Sequence, residues 1–132
     1  MTQRNISSGS PWEETVGYSR AVRVGNLIEV AGTTAVNERG EVVGPNDPYL
    51  QAKYALEKIG RALVEAGAGF ENVIRTRMFV TDIARWEEVG RAHGEVFRDI
   101  RPAATLVQVA SLVRLDLLVE IEATAVAPED SP

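Results

Sequence analysis

Glu120 and Glu122 stand two residues apart in an otherwise apolar run, Leu117 to Val126, and Arg75 and Arg77 stand two apart in another, Val73 to Thr81. In an extended chain, residues two apart share a face. Each run therefore presents like charges on one side. A carboxylate on such a face can hold a water molecule and exchange a proton with it, the work of a general acid/base. It can equally form an ion pair with Arg75 or Arg77 across the sheet. Glu120 is the candidate for the first role; Glu122 reads as structural. Tyr18 either orients a ligand through its hydroxyl or sits at a boundary with a wet tip. Gly32 is either a close-approach position whose N–H faces a ligand or a simple bulge in a strand.

His93 is the one histidine, and the chain has no cysteine. A multi-His site and a thiolate site are thus ruled out within one chain. No metal site is expected. His93 is either a boundary residue with one nitrogen satisfied or, with Gly90 one turn earlier, part of a pocket's end. A glycine inside a helix costs ~1 kcal/mol relative to alanine, so close packing or ligand access would justify Gly90. Glu87 and Glu88 are adjacent and do not share a helix face. Gly67-Ala68-Gly69 lacks the spacing of a phosphate-cradling loop.

Two helices and a set of strands must position these groups. Ala21 to Val24 and Leu27 to Ala31 flank Gly25-Asn26 and predict a β-hairpin. Asn37 to Gly40 make the next turn. Asp47-Pro48 opens a helix with Asp as N-cap and Pro at its first position. Ala52, Ala55, Leu56, Ile59, Leu63 and Ala66 give that helix one apolar stripe, and Gly67 stops it. Val73 to Thr81 is a strand with Ile74, Thr76, Met78 and Val80 on one face. Thr81-Asp82 caps a second helix, roughly Arg85 to Arg98, with Trp86, Val89 and Phe97 inward. Thr105 to Val109 and Leu117 to Val126 are the last strands. The pattern predicts one α+β domain over residues 1–126, both helices on one face of the sheet, and a disordered tail, polar and Pro-rich, over 127–132.

The second face of that sheet carries Glu120, Glu122 and Thr124, then Arg75, Arg77 and Phe79, and by alternation Ala104, Leu106 and Gln108. A second copy of the chain covering this face explains its mix of charged and apolar residues better than solvent does. The net charge of −5 argues against nucleic acid as a partner. All but Lys53 and Lys58 of the 14 basic residues are Arg, which reflects composition bias or anion recognition by guanidinium forks. No apolar run reaches the roughly 18 residues of a membrane span. The segment MTQRNISSGSPW lacks a signal peptide's apolar core. The expected address is the cytoplasm, with neither membrane nor nucleic acid as partner.

Three segments together resemble the Rid superfamily, the reactive-intermediate deaminases, also called the YjgF or L-PSP family. They are Gly17-Tyr18-Ser19-Arg20-Ala21-Val22 with Gly25-Asn26-Leu27 and Ala31-Gly32; Thr76 to Asp82; and Arg101-Pro102-Ala103-Ala104-Thr105-Leu106-Val107 with Leu118 to Ala123. The resemblance runs from about Arg4 to Val126. It implies a chorismate-mutase-like fold and a homotrimer whose sheets form a central barrel, with small-molecule pockets between neighbouring subunits. It also implies hydrolysis of enamines and imines, such as 2-aminoacrylate, to a keto acid and ammonia without a cofactor. In such a pocket an Arg grips the substrate carboxylate and a Glu positions the attacking water; Glu120 matches that Glu.

The departures from the family pattern are specific. Ala104 stands where the gripping Arg is expected, Ala31 where a Ser is, Gly90 where a helical Asn is, and Leu106 where a Cys is. Tyr18, Gly32 and Glu120 remain. Arg101 either replaces the missing Arg or is a solvated loop residue; its offset of three from Ala104 points it to the opposite face of a continuous strand. The resemblance implies a pocket of Glu120 with Tyr18, Ala31, Gly32, Gly90, His93, Ala104 and Leu106. Its function is then hydrolysis or tautomerisation of an imine- or enamine-like metabolite, or non-catalytic binding of a small molecule by a trimer. A ribonuclease activity, attached to some relatives, is opposed by the acidic balance and the lack of a His pair.

Overall fold

Gly25 takes a positive φ of 59° and closes the predicted hairpin of β2 (Ala21–Val24) and β3 (Leu27–Thr33). The structure, a computed structural model, describes residues 2–129. Ahead of the hairpin lie β1 (Gln3–Ile6) and a short helix α1 (Pro11–Val16). Then follow α2 (Pro48–Glu65), β4 (Val73–Val80), α3 (Trp86–Phe97), β5 (Ala103–Gln108) and β6 (Val119–Val126). The strands make one mixed sheet in the order β1-β2-β3-β6-β4-β5. Only β4 and β5 run parallel, joined by the α3 crossover; every other neighbouring pair is antiparallel.

The predicted caps form. The Asp47 side chain accepts from the Leu50 N–H at the start of α2, and Gly67 follows its end with φ +90°. Arg23 reinforces that end: its Nη1 donates to the Ala66 carbonyl at 2.6 Å, placing a cation where the helix dipole is negative. Asp82 caps a 3-10 turn, Ile83–Arg85, that leads into α3.

The core lies between the helices and one face of the sheet. Val119, Ile121, Ala123 and Ala125 are buried there beneath Ala55, Leu56, Ile59 and Leu63 of α2. Two inward assignments need correcting. Ile74 is 52 % exposed and Trp86 is also 52 % exposed. A register shift between Val73 and Arg75 turns Ile74 outward and lets Val73 take the buried place, as a β-bulge does. Trp86 opens α3 and lies on its outer surface.

Ala127 is buried and its N–H donates to the Asn26 carbonyl at 2.7 Å. The remainder of the expected tail reaches residues 130–132, which lie outside the described residues. Among the described residues no helix is long and apolar enough to cross a membrane.

Candidate functional site

The open face of the sheet, opposite the helices, is set by the register. Phe79 pairs with Glu120, Arg77 with Glu122 and Arg75 with Thr124, so all six side chains share that face. Arg77 forms an ion pair with Glu122 at 3.5 Å. Arg75 donates to Thr105 Oγ1 at 2.6 Å. The alternative of an ion pair for Glu120 is therefore not realised: its strand partner is a phenylalanine, and both arginines are engaged elsewhere.

What Glu120 does touch is Gly32. The β3–β6 register slips between Val30 and Thr33, so Ala31 and Gly32 form a bulge beside β6. A Cβ placed on Gly32 would lie 2.0 Å from Glu120 Oε2. The bulge reading of Gly32 holds, and the bulge is one that admits the carboxylate. Burial pushes the Glu120 carboxyl above its ordinary value, the charge of Glu122 adds to the rise, and the charge of Arg20 opposes it. A half-buried carboxylate with raised proton affinity and no bonded partner among the described residues is suited to take and return a proton.

Arg20 was not singled out from the sequence. It sits two residues after Tyr18, within the same quoted motif, and that spacing is the signal that would have found it. It is 8 % exposed. Nη1 donates to the Gly32 carbonyl at 2.7 Å and to Thr33 Oγ1 at 2.9 Å, and Nη2 reaches the Tyr18 hydroxyl at 3.4 Å. Tyr18, Ala31, Gly32 and Glu120 are thus brought together around one guanidinium. Tyr18 and Ala31 also line a groove of about 910 Å³, with Val22, Glu29, Arg77 and Glu122.

The remaining predicted residues lie on the other side. The parallel register pairs Ala104 with Thr76, Leu106 with Met78 and Gln108 with Val80. Thr76, Met78 and Val80 face the helices, so Ala104, Leu106 and Gln108 do too, and Leu106 packs against the core. Their expected place on the open face is corrected; Thr105 and Val107 hold it instead. The error came from the strand's phase, which had no turn to fix it. His93 bonds Thr76 Oγ1 through Nε2 at 2.8 Å and stacks near Phe97, and burial lowers its pKa. Gly90 lies one turn away, where an added Cβ would meet only the Trp86 ring at 3.7 Å. Close packing therefore does not require this glycine. Arg101 is exposed, with a left-handed φ of 57°, and its Nε donates to the Arg98 carbonyl; within the chain it joins neither group.

One chain therefore presents two separate clusters. Tyr18, Ala31, Gly32 and Glu120 lie on the open face. Gly90, His93, Ala104 and Leu106 lie on the helix side, by the edge strand β5. Among the described residues no group of three or more His, Cys, Asp or Glu is placed to hold a metal ion.

Comparison with known proteins gives a family match and close structural likeness. The family model described as Endoribonuclease L-PSP matches residues 10–127. An uncharacterized Streptomyces coelicolor protein is 43 % identical over 123 residues, 92 % of this chain and 90 % of that protein. A mouse 2-iminobutanoate/2-iminopropanoate deaminase is 34 % identical over 124 residues, 93 % of this chain and 91 % of that protein. The crystal structure of a Mycobacterium tuberculosis member of the YjgF/YER057c/UK114 family superposes with a TM-score of 0.87 at 47 % identity, covering 96 % of this chain and all of that one.

Proposed function

The chain belongs to the endoribonuclease L-PSP family, the Rid or YjgF family, and from that premise we propose that it hydrolyses or tautomerises an imine- or enamine-like metabolite with Glu120 as its acid/base. One observation carries the proposal: Glu120 is half-buried, raised in proton affinity and without a bonded partner among the described residues, against the Ala31–Gly32 bulge whose Ala31 lines an open groove. In hydrolysis its carboxylate takes a proton from water as the oxygen attacks the imine carbon. It returns that proton to nitrogen, giving a carbinolamine; it then carries the hydroxyl proton to the amine as the C–N bond breaks and the C=O bond forms, so a carbonyl compound and ammonia leave. A 2-iminobutanoate/2-iminopropanoate deaminase among the relatives supports this reaction class.

The two clusters on opposite sides of the sheet support a site built between copies. Glu120 and Ala104 cannot converge within one chain. In a homotrimer, the helix-side cluster of one subunit would close the open-face cluster of its neighbour, and the apolar part of that face, Val22, Phe79 and Val107, would gain cover. The reading keeps the cytoplasmic address expected from the sequence. Ala104 supplies neither charge nor donor, so the substrate is not a simple α-imino acid held by a carboxylate fork.

A second reading, a non-catalytic binding trimer, is favoured by the small or apolar residues at positions 31, 90, 104 and 106. The variant Glu120→Gln separates the two. An enzyme loses ammonia release from a panel of imines and enamines while keeping ligand affinity within a few fold. A binder shows no release in either form, and the substitution changes affinity alone.

A further inference from the structure

Arg20 is a buried cation without a contact ion pair: it takes part in none of the salt bridges among the described residues. Its acceptors are the Ala31 and Gly32 carbonyls, Thr33 Oγ1 and the Tyr18 hydroxyl, all neutral. The guanidinium also sits against the Tyr18 ring, 5.5 Å from its centroid. Its Nε is buried with no hydrogen-bond partner among the described residues. Burying a charge in this way is costly unless an opposite charge lies near. Stability alone gives no reason to keep it, because a neutral donor could satisfy the same carbonyls.

The arrangement acquires a reason once Glu120 is included. The bulge that Arg20 clamps is the one whose missing Cβ admits the Glu120 carboxylate. The tyrosine it holds lines the groove. We propose that Arg20 is a positioning residue for the Glu120 site: its guanidinium fixes Tyr18 and the Ala31–Gly32–Thr33 bulge around the carboxylate and supplies the one positive charge that keeps that carboxylate available as a base. This role rests on the reading of Glu120 as acid/base.

The charged groups around Glu120 allow the electrostatic part to be isolated. Glu122 on β6 raises its proton affinity, and Arg77 on β4 is paired with Glu122. Phe79 opposite and Gly32 beside it carry no charge. Arg20 is the cation that opposes the rise. Glu13, bonded to Ser8, and Lys58, bonded to the Thr34 and Val36 carbonyls, also feel Arg20 but have their own partners.

The test is a carbon-detected titration of the Glu120 side-chain carboxyl by NMR, which needs no substrate. In Arg20→Gln the midpoint moves upward relative to the natural protein, because the opposing positive charge is gone. In Arg20→Lys the charge stays but the fork is lost: the midpoint stays near the natural one while the amide signals of Ala31 to Thr33 move. A purely structural arginine would give no upward movement in Arg20→Gln, and that result overturns the proposal. Should Arg20→Gln not fold, Arg20→Lys decides: unmoved amide signals at 31–33 overturn the proposal, and moved signals with an unmoved midpoint support it. A shifted midpoint in Arg20→Gln together with an unchanged rate in Glu120→Gln would uphold this coupling and reject the acid/base reading, so the two failures are distinguishable.

Discussion

Replacing Gly32 by alanine puts a methyl group where the Glu120 carboxylate now sits. The added Cβ would meet Oε2 at 2.0 Å and Cδ at 2.9 Å, against an ordinary contact of 3.4 Å or more, so the oxygen must retreat by at least 1.4 Å. Gly32 is not among the positive-φ glycines, so alanine adds no backbone strain and the whole effect passes through that contact. The obstacle is the far end of a flexible side chain. Moving it off its preferred torsions costs about 1–2 kcal/mol, or about 3–8 °C in Tm for a domain of this size at fixed protein concentration. The displaced carboxylate leaves its half-buried position, so its NMR titration midpoint falls towards the ordinary range. The decisive assay is a double-mutant cycle. In a Glu120→Ala background, Gly32→Ala should cost almost nothing, giving a coupling of about 1–2 kcal/mol. Equal losses in both backgrounds, or an unmoved Glu120 midpoint, would refute the claim that Gly32 exists to admit the carboxylate.

Sedimentation equilibrium at micromolar protein should give three times the 14.4 kDa chain mass; a monomer would remove the shared-pocket argument. Gly90→Ala should stabilise the fold by up to ~1 kcal/mol, since the new methyl meets Trp86 at an ordinary 3.7 Å; a loss of stability in chemical denaturation would show that packing needs the glycine. Burial, helped by the charges of Arg20 and Arg61, lowers Lys58 from 10.5 to about 8. The unfolded chain therefore binds more protons across that window, and stability rises with pH between those two values. Lys58→Met should flatten the rise in urea midpoints, and an unchanged slope would mean the ammonium is not desolvated.

Helix α2 was legible because its stripe, its Asp47 cap and its Gly67 stop agree. The last strand was legible because four apolar residues alternate with three polar ones. Strand β1 was not: Gln3, Arg4 and Asn5 are exposed and only Ile6 is buried, so its polar sequence carries no periodic signal and the strand exists through pairing with β2. β5 was found but its phase was inverted, because Ala103 and Ala104 fit either face and only the register with β4 decides. Helix α1, six residues long, has too few turns to show a period. At the candidate site, Tyr18, Gly32 and Glu120 are singled out by resemblance to a family pattern, and the structure places them near one another around Arg20. Arg20 was hidden among many arginines; what marks it out is burial, which composition does not reveal.

Keto-acid release from an α-imino acid tests most directly the proposal that Glu120 is the acid/base of a pocket without a carboxylate anchor. The natural protein should turn over such a substrate poorly, because a charge-assisted fork in a half-buried pocket is worth roughly 2–3 kcal/mol, on the order of a hundredfold in kcat/KM. Ala104→Arg should recover activity of that order, and adding Glu120→Gln should abolish the gain. Fast turnover by the natural protein, or a gain that survives Glu120→Gln, would contradict the account.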